Sequence, residues 1–366
     1  MKDNYESLDT FLAVGCDGTN VNTGRHNGII RLLEKELNKP LQWLIGQLHA
    51  NELPLRHLLK HLDGATSGPC VFRGVIGKAI AFCEKKPITS FQPINSDLPH
   101  DIDVNDLSTD QRYLYEICDT VSKGFCSQSL SRRYPGTLSH SRWLTAANRL
   151  LRLYVSTEHP SDNLIMLVTY VVKIYAPMWF RIKRNPSCKN GACHLFQTIK
   201  NSRSLPKEIK AIIDPVIQRN SYFAHPENVI LAMLNDERKH IQELAVRRIL
   251  RARSDPQKLR LFQIPKINFS AKKYTDMIDW QKTLITKPPL LKHIETSNLK
   301  MFIAGGDAKI IDFPNYPCHT QSVERCVKLV TAVVCGTKSR DGYIRVTLES
   351  RKRMPIFNTK AEYRTS

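Results

Sequence analysis

No basic segment followed by an apolar one opens the chain. MKDNYESLDTF therefore lacks the pattern of a secretory signal, and secretion is not expected. No apolar run is long enough to cross a bilayer either. The longest, Leu164 to Val172, meets Lys173 and then Pro177 and reads as a buried helix. The 10 cysteines show no regular spacing, so no disulfide framework is indicated and a reduced intracellular setting fits. Cys188, Cys193 and His194 form the one dense thiol and imidazole group, but a fourth ligand is missing and the spacing does not make a zinc site. Acid is also scarce. Against 54 Lys and Arg stand 34 Asp and Glu, a formal charge of +20 that suits a polyanion, most simply nucleic acid.

The 366 residues, 42% of them hydrophobic, are enough for one large or two ordinary domains with a real core. The organising stretch is Phe11 to Gly24 (FLAVGCDGTNVNTG), an apolar run that reaches Asp17 and then Gly and Asn. It reads as a buried strand ending in a loop, with an acid at its carboxyl end, where open α/β sheets place their ligands. The alternative is that Asp17 closes an Asx turn or caps the next helix. Gly28 to Leu37 has Ile29, Leu32, Leu33 and Leu37 at helical spacing, which places Arg31, Glu34, Lys35 and Glu36 on the wet side. Leu41 to Leu48 reads as a second strand closed by His49, Ala50 and Asn51. Strand, helix, strand with short connections implies a parallel pair. A helix over 52–62 follows, with Pro54 in its first turn.

Residues 63–77 have loop chemistry, and Ser96 to Asp110 is an acidic, Pro-containing, exposed stretch. Helical periodicity then recurs over 110–122, 141–154, 162–175, 208–219, 226–234 and 236–253. The last of these sets Arg247, Arg248 and Arg251 opposite Ile241, Leu244, Ala245 and Ile249, either as a solvated face or as a phosphate-contacting one. Leu299 to Ile303 is strand-like, and Gly305 and Gly306 mark a turn. Ser322 to Cys335 is a strong apolar helix with Glu324 in its first turn, and a basic tail runs from Arg345 to Lys360. Glu324 suits a capping box or the helix dipole. It also suits a metal ligand, because two carboxylates meeting at a sheet edge can hold Mg²⁺ for phosphodiester chemistry.

Taken in order, these motifs resemble the RNase-H-like DDE transposases, the hAT superfamily most of all. In that family the second catalytic Asp closes a strand in a D-G/A-x-N motif, matched by Asp17-Gly18-Thr19-Asn20. A C-x-x-H motif follows; His49 and Asn51 match its H-x-N part, while Gly46 stands at the Cys position. Arg142-Trp143 matches the family's Arg-Trp pair within a helical insertion, and Thr320 to Arg325 resembles the terminal Glu motif. The resemblance implies an α/β, mostly α, RNase-H-like fold split by a large all-α insertion. Its parts would be residues 1–62, an insertion over 63–300, and residues 301–366.

It further implies DNA strand cleavage and transfer with Mg²⁺ or Mn²⁺ held by Asp17 and Glu324, His49 beside them, and transposon-end DNA as partner. A second copy of the chain remains an open alternative partner, and the setting would be nuclear or nucleocytoplasmic. Trp143 would stack near a flipped base, or serve as a core tryptophan. His49 has a purely structural alternative as well. The family's first Asp lies on a strand well upstream, yet only 16 residues precede Asp17. The expectation is therefore a truncated remnant with an incomplete catalytic triad. Its alternatives are a non-enzymatic nucleic-acid- or protein-binding remnant, and a product without stable function.

Overall fold

β1 (Ala13–Cys16) and β2 (Gln42–Ile45) pair in parallel, Ala13 opposite Gln42 through Cys16 opposite Ile45. A single helical turn, α1 (Asn20–Thr23), and the two-turn α2 (Ile29–Glu36) connect them. The strand–helix–strand expectation holds. A computed structural model describes residues 11–65, 72–138, 143–254, 263–285 and 294–318. The chain divides into two compact units, Met1–His319 and Thr320–Ser366, and every described residue belongs to the first. The expected helix over 322–335, with Glu324, and the basic tail lie outside the described residues, as does Arg142.

β2 is buried on both faces, and its side chains divide with the period of the pleat. Leu44 joins the main core, while Trp43 and Ile45 join a smaller cluster with Ile30 and Tyr222. The rings of Trp43 and Tyr222 stack with centroids 6.3 Å apart. The rotation of α2 differs from the expectation. Ile29 and Leu32 are 47% and 51% exposed, whereas Ile30, Arg31 and Glu34 are buried. The polar pair is buried because its charges are paired. Arg31 pairs with Glu34 at 2.8 Å, and Glu34 Oε1 accepts from the Trp43 indole at 2.9 Å and the Leu41 amide at 3.1 Å. A buried charge survives only with such partners.

The other named elements of the described residues are helical. α3 (Gln47–Asp63) begins five residues before the expected start, so Pro54 falls in its second turn and His49, Ala50 and Asn51 belong to the helix. α4 (Val75–Ile80) forms where a loop was expected. Asp63, at the end of α3, accepts from the Ile76 and Gly77 amides at 2.8 and 2.6 Å and so caps α4 from outside it. α5 (Thr109–Lys123) starts on a Ser108–Gln111 capping box and stops at Gly124, whose φ of 73° is left-handed. α6 (Gln128–Ser131) and α7 (Trp143–Tyr154) follow.

α8 (Asp162–Tyr170) runs through a π turn, Val171–Tyr175, into α9 (Ala176–Arg184). The expected stop at Tyr175 is thus absent. The wider π turn stands just before Pro177, whose missing N–H and ring would disrupt a regular α turn. The continuous helix of 23 residues is long and apolar enough to cross a membrane, but 72% of its apolar window is buried inside the fold.

α10 (Gly191–Ser202), α11 (Lys207–Arg219), α12 (Pro226–Leu234) and α13 (Lys239–Ser254) complete the block, and α14 (Thr296–Ile303) packs on α13. α14 replaces the strand expected at Leu299 to Ile303. A short apolar run does not separate helix from strand by period alone. Gly191 admits the Phe223 ring so closely that a Cβ there would lie 2.0 Å from it.

One main core joins β2, α3 and the helices around the α8–α9 axis. Arg149 on α7 is buried within it and fully engaged. Its guanidinium donates to the Gly136 and Ile80 carbonyls, at 2.7 and 2.8 Å, to Glu84 at 3.0 Å and to the Tyr134 hydroxyl at 2.9 Å.

Candidate functional site

Asp17 is the first residue beyond β1, at the carboxyl end of the parallel pair. Its Oδ1 accepts three hydrogen bonds from its own loop: the Thr19 amide at 3.1 Å, the Thr19 hydroxyl at 2.7 Å and the Asn22 side-chain amide at 2.7 Å. This is the Asx-turn alternative, and it opens α1. Partial burial works against ionisation, but the bonds from Thr19 and Asn22 and the nearby His49 outweigh it and hold the carboxyl below its ordinary range. Oδ2 accepts no hydrogen bond from the described residues.

His49 stands in the first turn of α3, half-buried, directly after β2. Burial pulls its pKa down, Asp17 opposes that, and Arg56 adds to it. Asp17 and His49 therefore share one edge of the sheet and feel each other's charge. Asn51 does not join them. It is buried, and its Nδ2 donates to the Tyr175 carbonyl at 3.0 Å, tying α3 to the π turn.

The remaining sequence candidates are dispersed. Trp143 opens α7 at 7% exposure, edge-to-face with Phe72 at 6.4 Å, so the core-tryptophan alternative describes its surroundings. On α13, Arg247 and Arg251 are exposed one turn apart. Arg248 turns inward instead. Its guanidinium lies 3.7 Å from the centre of the Trp280 ring, and burial lowers its pKa to about 10. His194 is buried with Nε2 at 2.9 Å from the Asn185 carbonyl, which is a packing role. Among the described residues no group of three His, Cys, Asp or Glu is arranged to hold a metal ion.

A cavity of about 40 Å³ lies behind the β2–α3 junction, lined by Ile45, Gln47, Asn51 and Phe223 among others. It is large enough for water and far too small for a nucleotide. A groove of about 830 Å³ is bordered by His225, Lys266, Asp279 and Lys282. Neither includes Asp17 or His49 among its lining residues, and both of these side chains are partly exposed.

The sequence reading missed a row of cations on α3, Arg56 and Lys60, with Arg219 of the packed helix α11 near the adjacent His57. Pro54 had suggested a helix start at Glu52, which hid the register linking His49 to this row. Glu52 was missed as well, and burial pushes its carboxyl up to about 8. No protein-family model matches the chain, and no curated protein or solved structure matches it.

Proposed function

We propose that this chain is a DNA-binding remnant of an RNase-H-like DDE-type transposase whose strand-cleaving machinery is incomplete. The observation that supports this most is that Asp17 and His49 both lie at the carboxyl end of a parallel strand pair, within electrostatic range of each other, in a strongly basic chain. A charge of +20 favours a polyphosphate. Arg247 and Arg251 on α13 offer a further phosphate-contacting face. A nuclear or nucleocytoplasmic setting follows from the same reading.

The described residues do not by themselves suffice for Mg²⁺ or Mn²⁺. Asp17 commits one oxygen to its loop, no second carboxylate joins it among the described residues, and Glu324 lies outside them. No cleavage step is therefore assigned. The test is a titration of labelled duplex DNA with the full chain, with and without Mg²⁺, followed by a denaturing gel. Binding that needs no Mg²⁺ and leaves both strands intact supports the reading. Mg²⁺-dependent nicking that disappears in Asp17→Ala would overturn it in favour of a working nuclease.

A further inference from the structure

On α3, His49, Arg56 and Lys60 fall within about 40° of one another at the helical 100° per residue. Their row starts at the Asp17 edge and follows the helix for about 16 Å. α11 packs against α3, and Arg219 from its last turn stands beside His57. Arg56, Lys60 and Arg219 are exposed, and none of them forms an ion pair among the described residues. Four residues before Arg56, Glu52 occupies the position from which a glutamate normally pairs with a cation one turn on. It does not pair. Burial pushes its carboxyl up to about 8, so it is largely uncharged at neutral pH. Asp63, at the far end, is occupied by the amides of α4.

The cations crowd one another. Burial, then Arg219, Arg56 and Lys60 in turn, hold His57 below its ordinary pKa. Three uncompensated cations on two packed helices are mutually repulsive until a counter-charge arrives.

We propose that the α3–α11 row of Arg56, Lys60 and Arg219 is a contact tract for the phosphodiester backbone of DNA, leading to the sheet edge that carries Asp17 and His49. Several features favour this occupant. Arg56 and Lys60 are about 6 Å apart along the helix, close to two phosphate steps of a strand at about 3.4 Å each. An anionic membrane is a poorer match, since Leu48, Leu55, Leu58 and Leu59 of α3 face the core and leave no apolar wedge to insert. The tract deepens the DNA-binding reading and rests on it.

The test measures affinity of the full chain for a short DNA duplex between about 50 and about 200 mM salt. It compares the wild type with Arg56→Gln/Lys60→Gln/Arg219→Gln and with Arg56→Lys/Arg219→Lys, each checked for an unchanged thermal melt. The triple variant should bind about tenfold or more weakly, with a log–log salt slope shallower by about 3. The lysine variant, which keeps the charges, should retain the slope. Triple-variant binding equal to wild type in affinity and slope overturns the tract while leaving the DNA-binding reading intact. A wild type that binds phosphatidylserine vesicles but no duplex at about 50 mM salt overturns both.

Discussion

At the scale of single residues, Asp17 is first of all a structural acceptor. Three donors converge on one of its oxygens, two from Thr19 and one from Asn22. Asp17→Ala should destabilise the described unit by about 1–2 kcal/mol, and Asp17→Asn, which keeps an acceptor, by less, as read from urea unfolding. Because the folded carboxyl titrates below its unfolded value, this contribution is present above the ordinary carboxylate range and is lost as pH falls through the folded pKa.

Glu52 has the opposite sign. Its folded pKa of about 8 lies above the ordinary 4.5, so its protonated form favours folding. Stability should be full below that ordinary value and decline by up to about 1.4 kcal/mol per pH unit as pH rises toward the folded pKa. Glu52→Gln should flatten that decline, so that the variant becomes the more stable protein above neutral pH. Parallel pH dependences in wild type and variant would remove Glu52 from this role. The position of Asp17 at a strand end was legible from Phe11 to Gly18. The burial of Glu52 was not, because it depends on the α8–α9 helix more than a hundred residues away.

At the scale of elements, period and punctuation were enough for much of the chain. The stretch Pro226–Leu234 is helical within its expected bounds, and α5 begins and ends on its Ser108 box and Gly124. The misreadings have causes that a local apolar period does not show. α4 is capped by Asp63, more than ten residues upstream, and no local window contains that partner. α8 passes its expected stop because a π turn accommodates Pro177.

α2 is rotated because Glu34 finds the Trp43 indole and the Leu41 amide on the neighbouring strand, so charge goes inward and Ile29 and Leu32 go outward. Periodicity weighs apolar area only and does not see such a buried ion pair. Glu34→Ala should therefore cost about 3 kcal/mol, since it strands Arg31 and the Trp43 donor in a buried site. Leu32→Ser, on the exposed face, should stay within about 0.5 kcal/mol of wild type. A larger cost for Leu32→Ser than for Glu34→Ala would mean that α2 is oriented as the periodicity suggested.

For the whole molecule, the excess of cations was legible in the composition, whereas its distribution was not. Part of it is consumed inside the fold, by Arg149 in the core and by Arg248 over Trp280. Part remains outside, on α13 at Arg247 and Arg251 and along α3 and α11. Only the outer part can meet a phosphate backbone. Arg247→Gln/Arg251→Gln should weaken DNA binding and lower the salt slope by about 2, whereas Arg248→Gln should act on stability through its lost stacking on Trp280.

The central claim is that the chain binds DNA through exposed cations without cutting it. The most direct measurement is the affinity of the full wild-type chain for duplex DNA across about 50 to 200 mM salt. A straight log–log line with a slope of about −5 or steeper, unchanged by chelating Mg²⁺, is the expected result. Binding absent at low salt, or insensitive to salt throughout, would contradict the claim.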